Sequence, residues 1–101
     1  MNPMNNKICV VTGATQGLGA AIARRLAAAG AAGIAVTGRN EERGTALARG
    51  ISEEFGVPAV FLRADFGSVE DCQRVIAETD HQFGRVNVLV NAGASDRKSV
   101  V

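Results

Sequence analysis

Lys7-Ile8-Cys9-Val10-Val11-Thr12-Gly13-Ala14-Thr15-Gln16-Gly17-Leu18-Gly19 decides how this chain folds. The run from Lys7 to Thr12 is β-branched and apolar, the composition of a buried strand. The glycines then fall where a strand must reverse into a helix. Gly13 permits the tight turn, Gly17 allows the backbone to approach an anionic group, and Gly19 allows close packing of helix on strand. From Gly17 to Ala29 the segment is alanine-rich, with Leu18, Ile22 and Leu26 at helical spacing, and Gly30 stands as a stop. A helix opening here presents unpaired N–H groups and a partial positive charge, the chemistry that holds phosphate.

The same alternation continues outward. Ile34 to Thr37 is a second strand. Asn40 is an N-cap, with Glu41 and Glu42 in the first turn of a helix running to about Phe55, before Gly56 and Pro58 end it. Ala59 to Leu62 is a third strand. Ser68 caps a third helix with an apolar face of Val69, Cys72, Val75, Ile76 and Phe83, stopping at Gly84, and Val86 to Val90 is a fourth strand. This rhythm predicts an α/β fold, a Rossmann-type doubly wound parallel sheet truncated after the fourth strand. Right-handed crossovers give strand order 3-2-1-4, with the first two helices on one face and the third on the other. The fourth strand then becomes an edge without proline, bulge or inward charge.

Composition bounds the function. The 101 residues suffice for one small domain, and 47% hydrophobic with 21% charged residues is ordinary for a globular core. Net charge is +1 with no basic stripe, which argues against nucleic acid as a partner. Cys9 and Cys72 show no metal-ligand spacing, so no metal site is expected and both read as small buried hydrophobes. The short polar start lacks a secretory pattern and no apolar run is long enough to span a bilayer, so the expected location is cytoplasmic. No lysine of a P-loop follows the glycines, which argues against nucleoside triphosphate hydrolysis. His81 on the third helix and Arg24 and Arg25 on the first read as solvent-facing.

The end of the second strand distinguishes nicotinamide dinucleotides. A carboxylate there would bond the ribose 2′-hydroxyl of NAD and repel a 2′-phosphate. Here Gly38 occupies that place and Arg39 follows. A guanidinium binds a 2′-phosphate and stacks on adenine, and Asn40 offers a further donor, so NADP(H) is favoured over NAD(H).

The glycine spacing, TGxxxGxG from Thr12 to Gly19, resembles the short-chain dehydrogenase/reductase family, as does Asn91-Ala92-Gly93 after the fourth strand. The likeness runs from Lys7 to about Ser95. It implies a cofactor site of Gly13, Thr15, Gln16, Gly17, Leu18, Gly19, Asp65, Phe66, Asn91, Ala92 and Gly93, to which the end of the second strand adds Arg39 and Asn40. Asp65 would accept from the adenine amino group and the Phe66 N–H would donate to a ring nitrogen. Gly93 would leave room for the nicotinamide-side ribose. Asn91 has two readings, a stiffener of the cleft floor and a direct ligand contact.

The family also carries a serine and a Tyr-x-x-x-Lys pair beyond the Asn-Ala-Gly segment, whereas this chain has no tyrosine, and its lysines are Lys7 and Lys98. Ser95 lies too close to Asn91 to be that serine. The expectation is the cofactor-binding part of an oxidoreductase acting on a carbonyl or alcohol, itself inactive, from a parent that is a homo-oligomer. A non-catalytic dinucleotide-binding module is the alternative. Residues 1–6 are expected to be disordered, and 7–95 to form a partial dinucleotide-binding domain. Codons for Asp96 to Val101 also spell a common sequencing-adapter string, which predicts a non-native tail at 96–101.

Overall fold

The computed structural model describes residues 6–13, 17–65 and 68–92. The elements run β1 (Ile8–Thr12), α1 (Gly17–Ala28), β2 (Gly33–Gly38), α2 (Glu41–Phe55), β3 (Ala59–Arg63), α3 (Val69–Phe83) and β4 (Val88–Asn91). All strand pairs are parallel and the sheet order is β3-β2-β1-β4, as the alternation predicts. β1 and β2 are buried along their whole length because each has a strand on both sides and helices on both faces.

Side chains alternate between the faces. Cys9, Val11, Ile34 and Val36 join Ala23 and Ala27 of α1 and Leu47, Ala48 and Ile51 of α2 in one core. Val10 and Ala35 point the other way and meet Val75 of α3 together with Ala64. Two helices therefore cover one face and a single helix the other. Where α2 crosses β3, Gly44 lies directly against the ring of Phe61, so the helix comes closer to the sheet than a side chain would allow. Phe83, at the far end of α3, reaches beneath β2: a Cβ on Gly33 would stand 3.0 Å from its ring.

Caps set the helix limits. The Asn40 side chain accepts from the Arg43 N–H at 2.9 Å, and Ser68 accepts from the Asp71 N–H at 3.2 Å. Gly56, with φ 70°, closes α2 in the left-handed conformation.

Three details differ from the sequence reading. Leu18 is 68% exposed and Val69 72% exposed, so neither belongs to its helix's apolar stripe. Both sit in the first turn of their helices, whose buried residues come further along. α1 instead buries Gly19, Ala23 and Ala27, small residues that bring it close to the strands. β4 begins at Val88, not Val86, because Asn87 uses its side chain in place of the ladder: its Oδ1 accepts from the Ile8 N–H at 2.8 Å while its own N–H donates to the Ile8 carbonyl at 2.9 Å. Cys9 is buried as expected, but Cys72 is only partly so.

β4 is an edge. Val88 and Val90 pack into the two-helix core, whereas Leu89 faces the side with one helix and is 58% exposed.

Candidate dinucleotide site

A parallel sheet places every strand's carboxyl end on one rim, and the helix N-termini on the same rim. Ligands of open α/β sheets bind there, at the point where strand order reverses. In the order β3-β2-β1-β4 the reversal lies between β1 and β4. Gly13, Gly38, Arg39, Asp65, Asn91 and Ala92 all reach this rim, although they are far apart in the chain.

Gly13 leaves β1 with φ 66°, a conformation that costs a residue with a Cβ free energy. Gly17 opens α1, and a Cβ there would meet nothing within 4 Å among the described residues. Protein packing thus does not require glycine at this position, whereas a ligand lying against the backbone would. The first turn of α1 carries no acidic residue, so its positive end is not offset from within the helix. Exposed Leu18 belongs to the same turn. Gly19, by contrast, is buried.

β1 and β4 are locked together at the reversal point. Thr12 and Asn91 are register partners. The Thr12 hydroxyl lies 2.8 Å from Asn91 Oδ1 and 3.3 Å from the Val90 carbonyl, and the Ala92 N–H donates to the Thr12 carbonyl at 3.2 Å. The Asn91 side chain thus has a partner on β1, a side chain and not the backbone group expected.

At the end of β2, Arg39 is exposed, and among the described residues no carboxylate pairs with it. Arg24, in contrast, is tied to Glu54 at 2.8 Å. Asn40 has its side-chain oxygen committed to capping α2, which leaves its amide nitrogen as the donor. Glu41 and Glu42, in the next turn, are exposed and suit the positive helix end.

Beyond β3, the Ala64 N–H donates to the Gly38 carbonyl at 3.0 Å, extending the sheet by one rung. Asp65 is exposed at the rim, its own N–H donating to Asp71 Oδ2 at 2.8 Å. That bond, helped by nearby Arg74 and Arg63, holds the Asp71 carboxyl below the usual carboxylate range despite some desolvation. Burial pushes the Cys9 thiol up. His81 is exposed, as expected. Thr15, Gln16, Phe66 and Gly93 lie outside the described residues, as do residues 96–101.

A family model for short chain dehydrogenases matches residues 7–100. The chain belongs to that family. Its curated relatives include a 3beta-hydroxysteroid dehydrogenase of Mediterraneibacter gnavus, 41% identical over 90% of this chain and 32% of the relative. A 3-oxoacyl-[acyl-carrier-protein] reductase of Aquifex aeolicus is 34% identical over 87% of this chain and 35% of its own length. Among solved structures, L-sorbose reductase from Gluconobacter frateurii, complexed with NADPH and L-sorbose, superposes with TM-score 0.85 at 31% identity. It takes in 99% of this chain and 38% of that one. This short-chain dehydrogenase chain therefore spans about a third of the length of such relatives.

Three groups at the rim were not singled out from sequence. Thr12 carries a side-chain bond as well as leading the glycine motif, and its position opposite Asn91 could have signalled this once strand order was known. Thr37 is fully buried with its hydroxyl unpaired. Asp71 and Arg74 brace the segment after β3, and their spacing from Asp65 has no sequence signature.

Proposed function

We propose that this chain is the NADP(H)-binding portion of a short-chain dehydrogenase/reductase that interconverts a carbonyl and an alcohol. The observation that carries the reading is the glycine turn. Gly13 takes a positive φ, and exposed Gly17 leaves its backbone open to approach at the start of α1, whose first turn carries no acid. The residues present fit a dinucleotide. N–H groups of the first turn of α1 would face its pyrophosphate. Arg39 and the Asn40 amide would take the 2′-phosphate, and Asp65 the adenine amino group. The Thr12–Asn91 pair keeps the cleft floor rigid beneath it. NADPH bound there supplies the hydride. L-Sorbose reductase and an actinorhodin polyketide ketoreductase, both solved with NADPH, support this choice of nucleotide by their similarity.

The 101 residues include no tyrosine to exchange a proton with substrate, so the chain alone is inactive in hydride transfer. The parent acts on a small molecule and is a homo-oligomer.

The test is fluorescence titration of the chain with NADPH and NADH, alongside Arg39→Ala. NADPH should bind more tightly than NADH, and Arg39→Ala should weaken NADPH about tenfold or more, the value of a charge-assisted bond to phosphate. NADH should be nearly unaffected. Equal loss for both nucleotides would remove Arg39 from the 2′-phosphate site. No binding of either would overturn the reading itself.

A further inference from the structure

Residues 64 and 65 belong to no helix or strand and Asp65 is exposed, yet bonds to other described residues pin the segment. Arg74 donates to the Arg63 carbonyl at 2.6 Å, and the Ala64 N–H holds the Gly38 carbonyl at 3.0 Å. The Asp65 N–H donates to Asp71 Oδ2 at 2.8 Å, and its carbonyl accepts from the Ser68 N–H at 3.0 Å. The second carboxylate oxygen of Asp71 stands 3.6 Å from Arg74. One carboxylate and one guanidinium from the first two turns of α3 thus fasten the backbone on both sides of Ala64.

This is not what helix capping alone would produce. Ser68 and Asp71 have the spacing of a capping box, in which the third-position acid accepts from the N-cap N–H. Here the Ser68 side chain does cap the Asp71 N–H at 3.2 Å, but the Ser68 N–H goes to the Asp65 carbonyl. Asp71 bypasses its own helix and reaches back across six residues to Asp65. A carboxylate accepting from a backbone N–H is about twice as strong as a neutral pair, and here that bond fastens the loop while Ser68 still caps the helix.

We propose that Asp71, braced by Arg74, is a positioning residue for the adenine end of the dinucleotide, acting by holding the Asp65 backbone in place on the rim. The inference rests on the reading of this rim as a nucleotide site. Asp71 touches no nucleotide. It removes the freedom of Asp65 before binding, so less ordering remains to be done when ligand arrives.

The experiment is calorimetric titration of the 101-residue chain with two probes. Adenosine 2′,5′-bisphosphate carries the adenine end alone, and reduced nicotinamide mononucleotide the other end. Asp71→Ala should weaken the first about tenfold and leave the second unchanged. Asp71→Asn keeps an acceptor for the Asp65 N–H and should restore binding to within about threefold. Glu70→Gln removes a neighbouring first-turn charge without touching the bracket and should bind as wild type does. Should Asp71→Ala fail to fold by circular dichroism, Arg74→Met, which frees the Arg63 carbonyl, should weaken the bisphosphate several-fold. If wild type does not bind the bisphosphate, the nucleotide reading falls and this inference with it. Tight wild-type binding that survives Asp71→Ala, or that Glu70→Gln weakens equally, overturns the positioning role alone.

Discussion

Replacing Gly44 with alanine tests how closely α2 is held against the sheet. Gly44 sits in the first part of α2, where the helix crosses β3. A Cβ there would come within 2.7 Å of Phe61 Cγ and closer still to Cδ1 and Cε1. Carbon atoms rest at about 3.5–4.0 Å, so ring or helix must retreat by about an ångström. Neither moves freely, because Phe61 is held in register with Val36 and its ring packs on the two-helix core. Overpacking of this kind costs about 1–3 kcal/mol, and the upper part of that range applies to a contact this short. Alanine gains about 1 kcal/mol over glycine in a helix interior, which offsets part of the loss. The net expectation for Gly44→Ala is a loss of about 1–2 kcal/mol, or roughly 4–16 °C in Tm for a domain of this size. In a Phe61→Ala background the obstacle is gone, and Gly44→Ala should instead stabilise by about 1 kcal/mol. Urea denaturation of the four variants gives the coupling, expected at about 2–3 kcal/mol. The first turn of α2 follows Arg39 and Asn40 directly, so a displaced helix should also weaken NADPH more than NADH. Gly44→Ala stabilising in both backgrounds, or destabilising equally in both, would refute the reasoning.

Other expectations follow from single groups. Thr37 is wholly buried with an unpaired hydroxyl, so Thr37→Val should raise stability by about 1 kcal/mol or more in urea titrations; a clear loss would show that the hydroxyl has a partner. A charged disulfide reagent should label one thiol of the native chain, Cys72, and reach Cys9 only on unfolding, since Cys9 is buried and its thiol is shifted away from the reactive thiolate; native labelling of both would contradict this. The Asp71 carboxyl is held low by the Asp65 N–H, so its contribution is complete above the unfolded value of about 3.9 and is lost as pH falls through the lower folded value. The stability difference between wild type and Asp71→Ala should therefore be flat from pH 7 to about pH 5 and narrow only below about pH 4. Narrowing already near pH 6 would point to a different group.

The order of elements and the direction of every strand were legible in the sequence, because each follows from local signals. Runs of β-branched residues specify strands, Asn40 and Ser68 cap helices, and the handedness of parallel crossovers fixes which face each helix covers once the strand order is given. The glycine turn could also be read directly, since a positive φ at Gly13 is a property of one residue. Which apolar residues become core was less legible. Leu18 and Val69 have the right helical phase but lie in exposed first turns, and phase alone does not report where along a helix packing begins.

Tertiary structure decided the features that join distant residues. Whether Asn91 braces the cleft depended on Thr12 being its register partner, 79 residues away. Asp71 became a brace for Asp65 because α3 folds back beside the end of β3; by sequence it was one more acid in a helix's first turn. Local chemistry determines what each segment of this chain becomes. Hydrogen bonds between strand ends, which form only once the sheet has assembled, decide which side chains meet at the rim.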